Sequence, residues 1–363
     1  MAKTTRQSNI ELLRIVAMFL VLLVHADFYS LGAPSAGDCV AHTTDALSRV
    51  YLQAISIACV DIFVGISGWF GIRPTVKGMG NFVFQCLFWA VGIYLVAMAT
   101  GTAHLSVDGI KECLALTRTN WFIKAYLLLY LLSPVLNTFA EHATRAVFRN
   151  VLLAFFIFQS IYGWMFPEAT AHIQHGYSTI SFIGLYLLMR YIRIYRPDRA
   201  LHYRHADLWY VLLAPVCLTA AYVLPPLAGI GTTALGFYWL SYISPYTIVL
   251  TAAVILLFSR LQLQSKAINL VAASSFAVFL SHYNVYIIPH YTDTIRSLYA
   301  HHGLAAFWGM TLLLLAGIFA ASVLIDQLRI GLWTGLLRVV GTCRNRGRQS
   351  IMANHCEREK TKH

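Results

Sequence analysis

The chain predicts an all-α fold, a polytopic membrane helical bundle of about ten transmembrane helices with both termini cytoplasmic. Three observations carry this reading. Of 363 residues, 58% are hydrophobic and only 12% are charged, where a soluble domain has roughly 25% charged residues. Mean hydropathy is +0.63, and apolar runs of about 20 residues, long enough to cross a bilayer, recur along the chain. Basic residues collect in alternate connections between those runs, as the positive-inside rule requires.

The runs fall at about 9–28, 50–71, 79–100, 121–140, 148–166, 177–194, 208–228, 238–259, 268–289 and 304–325. Before the first, Lys3 and Arg6 precede an apolar stretch with small residues near Ala33 to Ala36, which imitates a secretory leader. Arg14 within the stretch and the many runs that follow favour an uncleaved first helix instead. In the sixth, Arg190 and Arg193 occupy the final turns and must snorkel. Pro134 and Pro245 read as kinks rather than ends, because neighbouring helices can satisfy the freed carbonyls. With short connections, no internal repeat and no soluble domain, the chain reads as one membrane domain, 1–330, followed by a basic cytoplasmic tail, 331–363.

Charge tests the orientation. A cytoplasmic N-terminus puts on the inner side Lys3, Arg6, Arg14, Arg73, Lys77, Arg145, Arg149, Arg190, Arg193, Arg196, Arg199, Arg204, Arg260 and Lys266, with Arg329, Arg338, Arg344, Arg346, Arg348, Arg358, Lys360 and Lys362 in the tail; these are 22 of the 27 Lys and Arg. The outer side keeps Arg49, Lys111, Arg118 and Arg296, and Lys124 lies inside a span. The net charge of +12 is thereby assigned to the membrane and not to nucleic acid. The seven cysteines contain no C-x-x-C pair, which argues against metal binding by thiolates; Cys39 and Cys113 both fall on the outer side and are candidates to pair.

Chemistry is concentrated in NIELLRIVAMFLVLLVH, residues 9–25. Ionisable residues inside a span are functional-site candidates, since each costs roughly 2.5–3.5 kcal/mol on insertion scales. Arg14 and His25 are eleven positions apart at about 100° each, which puts them on one face roughly 16 Å apart. Glu11 shares that face, whereas Asp27 lies about 200° round from His25 and is poorly placed to orient it. The plainer reading is a snorkelling Arg and an interfacial His, which suits either alone better than the pair.

In the second span Asp61 is placed mid-membrane to balance Arg14 or orient His25, and Gly65, Ser67 and Gly68 permit close helix approach. Arg73 and Lys77 follow, either as phosphate ligands or as ordinary inner-side anchors. The fourth span opens with Trp121, Lys124 and Tyr126, where Lys124 either snorkels or meets a polar acceptor. The ninth holds His282 and Asn284 in its outer half, a second candidate polar site or a satisfied core histidine. His172, His175, His301 and His302 sit in outer loops without metal-ligand spacing. The absence of a glycine-rich phosphate loop, H-E-x-x-H, G-x-S-x-G and any channel-type filter excludes an obvious ATPase, zinc protease, serine hydrolase or ion channel.

These residues resemble a family. Arginine and histidine with ten residues between them in the first span, followed by DIFVGISGWFGI, WFIKAYLLLYLLSPVLN and SSFAVFLSHYNVY, are similar to segments of the acyltransferase-3 family of integral membrane O-acyltransferases, in its branch that acetylates surface polysaccharides. The resemblance runs from about residue 8 to 330. It implies a catalytic role for His25, a required Arg14, and a bacterial plasma (inner) membrane location as a multi-pass protein. One departure stands out: many members carry two arginines three residues apart after the second or third span, where this chain has Arg73 and Lys77.

The resemblance also implies acetyl-CoA, or another acyl-CoA, as co-substrate and a surface polysaccharide or lipid-linked glycan as acceptor, with membrane lipids as surroundings and no metal or nucleic acid. Arg73, Lys77, Arg145 and Arg149 would hold the anionic donor head. His25 would act as general base on an acceptor hydroxyl or form an acyl-histidine, with Lys124, Trp121, Tyr126, His282 and Asn284 near the acceptor. Protonated imidazole does neither job, so activity is expected to fall below about pH 6.5, and a flat rate from about pH 5 to 8 would contradict the role. The competing readings are a transporter or flippase for a glycan or lipid without chemistry, which the lack of an internal repeat disfavours, and a membrane sensor with a lipid-binding basic tail.

Overall fold

The computed structural model describes residues 7–117, 119–166, 172–195, 205–231 and 234–360. Lys3, Arg6, Arg118, Arg196, Arg199, Arg204 and Lys362 of the charge pattern lie outside these residues. Helices α1 (Ser8–Val24), α2 (Ala36–Ala41), α3 (Thr43–Ser56), α4 (Cys59–Phe70), α5 (Val76–Ala99), α6 (Val107–Cys113), α7 (Trp121–His142), α8 (Arg145–Phe158) and α9 (Thr179–Tyr195) are followed by α10 (Ala206–Leu227), α11 (Ala234–Trp239), α12 (Pro245–Ser259), α13 (Lys266–Ala273), α14 (Ser275–His282), α15 (Ile288–His301) and α16 (Leu304–Lys360). No strand occurs among the described residues, and seven helical segments there are long and apolar enough to cross a membrane. The expected spans 177–194, 238–259 and 268–289 fold as shorter or broken helices.

Local chemistry explains several boundaries. Thr75, Thr144, Ser244 and Ser265 each accept a bond at the N-terminus of the helix they precede. Ser244 with Pro245 at the first turn starts α12, so Pro245 opens a helix and does not kink one. Pro134 does lie inside α7. The ninth expected span breaks at Ser274, whose hydroxyl accepts a 2.8 Å bond from Gln327 Nε2 on α16. That last helix runs unbroken past residue 330.

Helix α1 is central. It packs against α3, α4, α12, α13 and α14, and its first turn is tied to α12 and α13 by Asn9 Nδ2 donating to Phe258 O (3.0 Å) and Ser8 Oγ donating to Asn269 Oδ1 (3.0 Å). The small residues of α4 do permit close approach: a Cβ on Gly68 would collide with the backbone of Tyr186 on α9, and this pair of helices makes the most extensive contact in the bundle. Gly71, at φ 74°, then turns the chain out of α4.

The bundle also encloses charges that hydropathy placed elsewhere. Arg49, expected in an outer loop, lies buried in α3, its Nε donating to Asp27 Oδ1 at 2.8 Å. Arg329, expected in the tail, is 2% exposed and forks onto Asp326 with two 2.8 Å bonds. Its Nη1 donates to Asn81 Oδ1 (2.8 Å), and Gln85 and Trp89 donate to Asp326 Oδ1 (3.2 Å each), which locks α16 against α5. Arg260 similarly pairs with the buried Asp207. Cys39 and Cys113 are free thiols and do not pair.

Breaking a buried pair on one side leaves an uncompensated charge, whereas removing both sides does not. Arg329→Met is therefore expected to destabilise the purified protein by about 3–5 kcal/mol, and Asp326→Leu with Arg329→Met by much less. Thermal unfolding in one detergent reads both; equal losses would show that the pair is not the source.

Candidate functional site

A cavity of about 1010 Å³ opens where the end of α1 meets the start of α4 and α7. Met18, Val21 and Val24 line it from α1, Cys59, Val60 and Phe63 from α4, Trp121 and Phe122 from α7, and Phe276 and Phe279 from α14. Helix α4 thus runs antiparallel to α1, with its first residues at the cavity and its far end leading to Arg73 and Lys77. No Asp, Glu, Lys or Arg lines the cavity among the described residues.

His25 stands in this lining at the first position of a π-helical turn, His25–Tyr29, that closes α1. Its Nδ1 lies 2.8 Å from Nε2 of His282, and Nδ1 of His282 lies 2.5 Å from the carbonyl oxygen of Val278. A carbonyl only accepts, so in the neutral pair His282 carries its proton on Nδ1 and its Nε2 is an acceptor. His25 must then donate through Nδ1, which leaves its Nε2 with a free lone pair. The ring of His25 stacks on Tyr283 at 4.7 Å and 15°, with Tyr29 edge-on at 5.2 Å.

The π-turn is clamped from three sides. Ser30 Oγ donates to the His25 carbonyl (2.5 Å), and Arg296 Nε to the Ser30 carbonyl (2.8 Å). Arg49 joins Asp27 to the carbonyl of Gly32 and lies over the Tyr299 ring at 5.4 Å. One turn earlier, Tyr291 donates to the carbonyl of Leu22 at 2.7 Å. Wide π-turns recur at functional sites because they re-aim side chains. Asp27 acts on the backbone that carries His25 and makes no bond to its ring.

The structure joins His25 with His282 and separates most other candidates from them. Arg14 Nη1 pairs with Glu11 Oε2 at 2.8 Å and does not line the cavity. Asp61 is 1% exposed, its Oδ2 has no hydrogen-bond partner, and no bond links it to Arg14 or His25. Trp121 lines the cavity, whereas Tyr126 turns away to Ser67 (3.0 Å). Lys124 Nζ reaches the carbonyl of Thr117 at 2.5 Å. Asn284, buried, accepts from the Tyr286 N–H at 3.0 Å.

Arg73, Lys77, Arg145 and Arg149 are all exposed and share one end of the bundle. Asn137 Nδ2, five residues before the end of α7, donates to the carbonyl of Ile72 (2.7 Å), and Arg145 opens α8 just beyond. Arg145 also lies 5.7 Å over the ring of Tyr195. Sequence reasoning missed Arg49, Tyr283, Gln53 and Ser241. The first carries a signal, an acid and a base flanking consecutive spans; the others resemble ordinary span residues.

Helices and cavity together define a multi-pass membrane protein with an imidazole presented to an apolar chamber. The family model of acyltransferase-3, described as an acyltransferase domain, matches residues 7–326. The chain belongs to that family and is an O-acyltransferase. Neither the comparison with curated proteins nor that with solved structures gave a match. The family assignment leaves the transporter and sensor readings without support.

Because Asp61 makes no bond to His25, Asp61→Asn is expected to keep turnover within about tenfold of the native chain. A buried polar atom without a partner disfavours the fold, so the variant should unfold no earlier. Turnover and melting of the purified variant check this; a loss beyond about 100-fold with unchanged melting would place Asp61 in the chemistry.

Proposed function

We propose that this acyltransferase moves an acyl group, acetyl in the simplest case, from cytoplasmic acyl-CoA to a hydroxyl of a surface polysaccharide or lipid-linked saccharide at a bacterial plasma membrane, with His25 as general base. One observation carries the reading: the Val278–His282–His25 chain of contacts, which in the neutral pair leaves Nε2 of His25, a cavity-lining residue, free to accept a proton. A neutral imidazole so held is the group acyl transfer to an alcohol requires.

The acceptor hydroxyl gives its proton to His25 Nε2 while its oxygen attacks the thioester carbonyl. The resulting imidazolium keeps its Nδ1–H bond to His282. As the C–S bond breaks, the Nε2 proton passes to the departing thiolate, so ester and free thiol leave and the imidazole is neutral again. His282 is a positioning residue here and not an acceptor ligand; it holds the tautomer, as a second group commonly does for a catalytic histidine.

The donor is drawn from the opposite end. Arg73, Lys77, Arg145 and Arg149 offer charges to its phosphates, and orientation by the positive-inside rule puts them in the cytoplasm. The 12 residues of α4 separate that end from the cavity by roughly 18 Å at 1.5 Å per residue, a span a pantetheine arm can bridge. Arg14, ion-paired to Glu11, supports the bundle below the cavity and does not touch the reacting carbonyl.

Purified protein in proteoliposomes with radiolabelled acetyl-CoA tests the assignment. His25→Ala should abolish acyl transfer, and His282→Ala should lower kcat by about 100-fold while leaving the KM for acetyl-CoA unchanged. Native turnover in His25→Ala would refute the role of the base, and a change confined to KM would make His282 a binding residue.

A further inference from the structure

The cavity wall contains a continuous arc of aromatic rings. Tyr29 meets Tyr283 at 5.9 Å, Tyr283 meets Phe279 at 5.4 Å, and Phe279 meets Phe122 at 5.5 Å. From Phe122 the arc continues through Trp121 (5.7 Å) to Tyr177 (4.6 Å) and Tyr242 (5.2 Å). The ring of His25 stacks directly on the Tyr283 member at 4.7 Å. Every one of these residues lines the cavity.

Two neutral polar atoms in the same wall have no partner. Gln53 is 4% exposed and its Oε1 accepts no bond, and Ser241 Oγ is likewise buried and unbonded. An unpaired buried acceptor disfavours the fold by about 1–3 kcal/mol, so these atoms are arranged for a ligand that brings hydroxyl groups. An acyl chain or lipid tail would cover the rings and leave both atoms unsatisfied. A carboxylate or phosphate in the cavity would meet no lysine or arginine among the described lining residues, only the imidazoles of His25 and His175, and a buried charge without a fixed counter-charge is strongly disfavoured.

We infer that the aromatic arc with Gln53 and Ser241 is the acceptor subsite, and that it takes an uncharged sugar ring in preference to an anionic one. This rests on the proposed transfer to a saccharide hydroxyl. The apolar C–H face of a pyranose lies against the rings, its hydroxyls bond Gln53 Oε1 and Ser241 Oγ, and one hydroxyl is thereby brought to His25 Nε2. Apolar walls with a few placed polar groups are how small-molecule sites fix orientation. The subsite selects against uronic acids and sugar phosphates by omission of a counter-charge.

Proteoliposomes with radiolabelled acetyl-CoA would be given a neutral hexose oligosaccharide, its uronic acid counterpart of equal length, or a long-chain alcohol. Label is expected on the neutral sugar with kcat/KM at least tenfold above the other two. Gln53→Leu, which removes the acceptor atom at nearly constant volume, should raise the KM for the neutral sugar about tenfold and leave the KM for acetyl-CoA unchanged. Equal or better labelling of the uronate or of the alcohol overturns the inference, as does an unchanged sugar KM in Gln53→Leu. Failure of the underlying functional reading looks different: acetyl-CoA turnover then does not depend on His25 with any acceptor.

Discussion

The 2.8 Å bond between His25 Nδ1 and His282 Nε2 joins the first membrane helix to one 257 residues later in the chain, and the proposed chemistry depends on it. Imidazole has two nitrogens with opposite roles in its neutral form. Which of them is basic is decided entirely by what the other one meets. Here a backbone carbonyl at Val278 sets the tautomer of His282, which in turn sets that of His25. In the neutral pair a single fixed acceptor in α14 therefore determines that the lone pair of His25, a cavity-lining residue, is on Nε2.

Such an arrangement is only useful if the backbone beneath it is held. The π-turn that carries His25 would be free to relax to an ordinary α-turn, but Arg49, Ser30 and Arg296 hold its carbonyl and carboxylate groups in place. The bond between Arg49 and Asp27 is strong because both side chains are buried and water cannot compete. The same low polarity penalises any group left alone, which explains why Arg49 meets Asp27, Arg329 meets Asp326 and Arg260 meets Asp207. Ten buried side-chain atoms among the described residues are exceptions to that pattern, those of Asp61, Gln53 and Ser241 among them. Of the ten, the atoms of Gln53 and Ser241 belong to residues that line the cavity, where a ligand can reach them.

Much of this was legible in the sequence. Seven of the ten expected spans match long apolar helices, and His25 was conspicuous because an ionisable residue interrupts a run of apolar ones. Its azimuth correctly set Asp27 aside as an orienting group. Its true partner was not legible, because nothing local links positions 25 and 282; His282 was visible only as another polar residue in a span. Burial of Arg49 and Arg329 was hidden for a related reason: a hydropathy window ends a span at a charge, and only the folded bundle supplies the counter-charge that lets the helix continue. Pro245 was misread as a kink although Ser244 ahead of it spelled a capped helix start. The aromatic arc draws on five separate stretches of chain, and aromatic residues are common in any membrane helix, so no periodicity announces it.

Separation of the two ends of the bundle gives the protein its direction. Exposed cations gather at one end, where the proposed function has an anionic donor bind, and a chamber with no Asp, Glu, Lys or Arg among its described lining residues surrounds the proposed base. The central claim is the protonation pattern of His25, and nitrogen-15 magnetic resonance of the histidine-labelled protein in lipid bilayers at neutral pH measures it directly, with His25→Ala and His282→Ala used to assign the signals. The account predicts that both rings are neutral and carry their protons on Nδ1, with a bare Nε2 on His25. A proton on Nε2 of His25, or a doubly protonated ring, would contradict it.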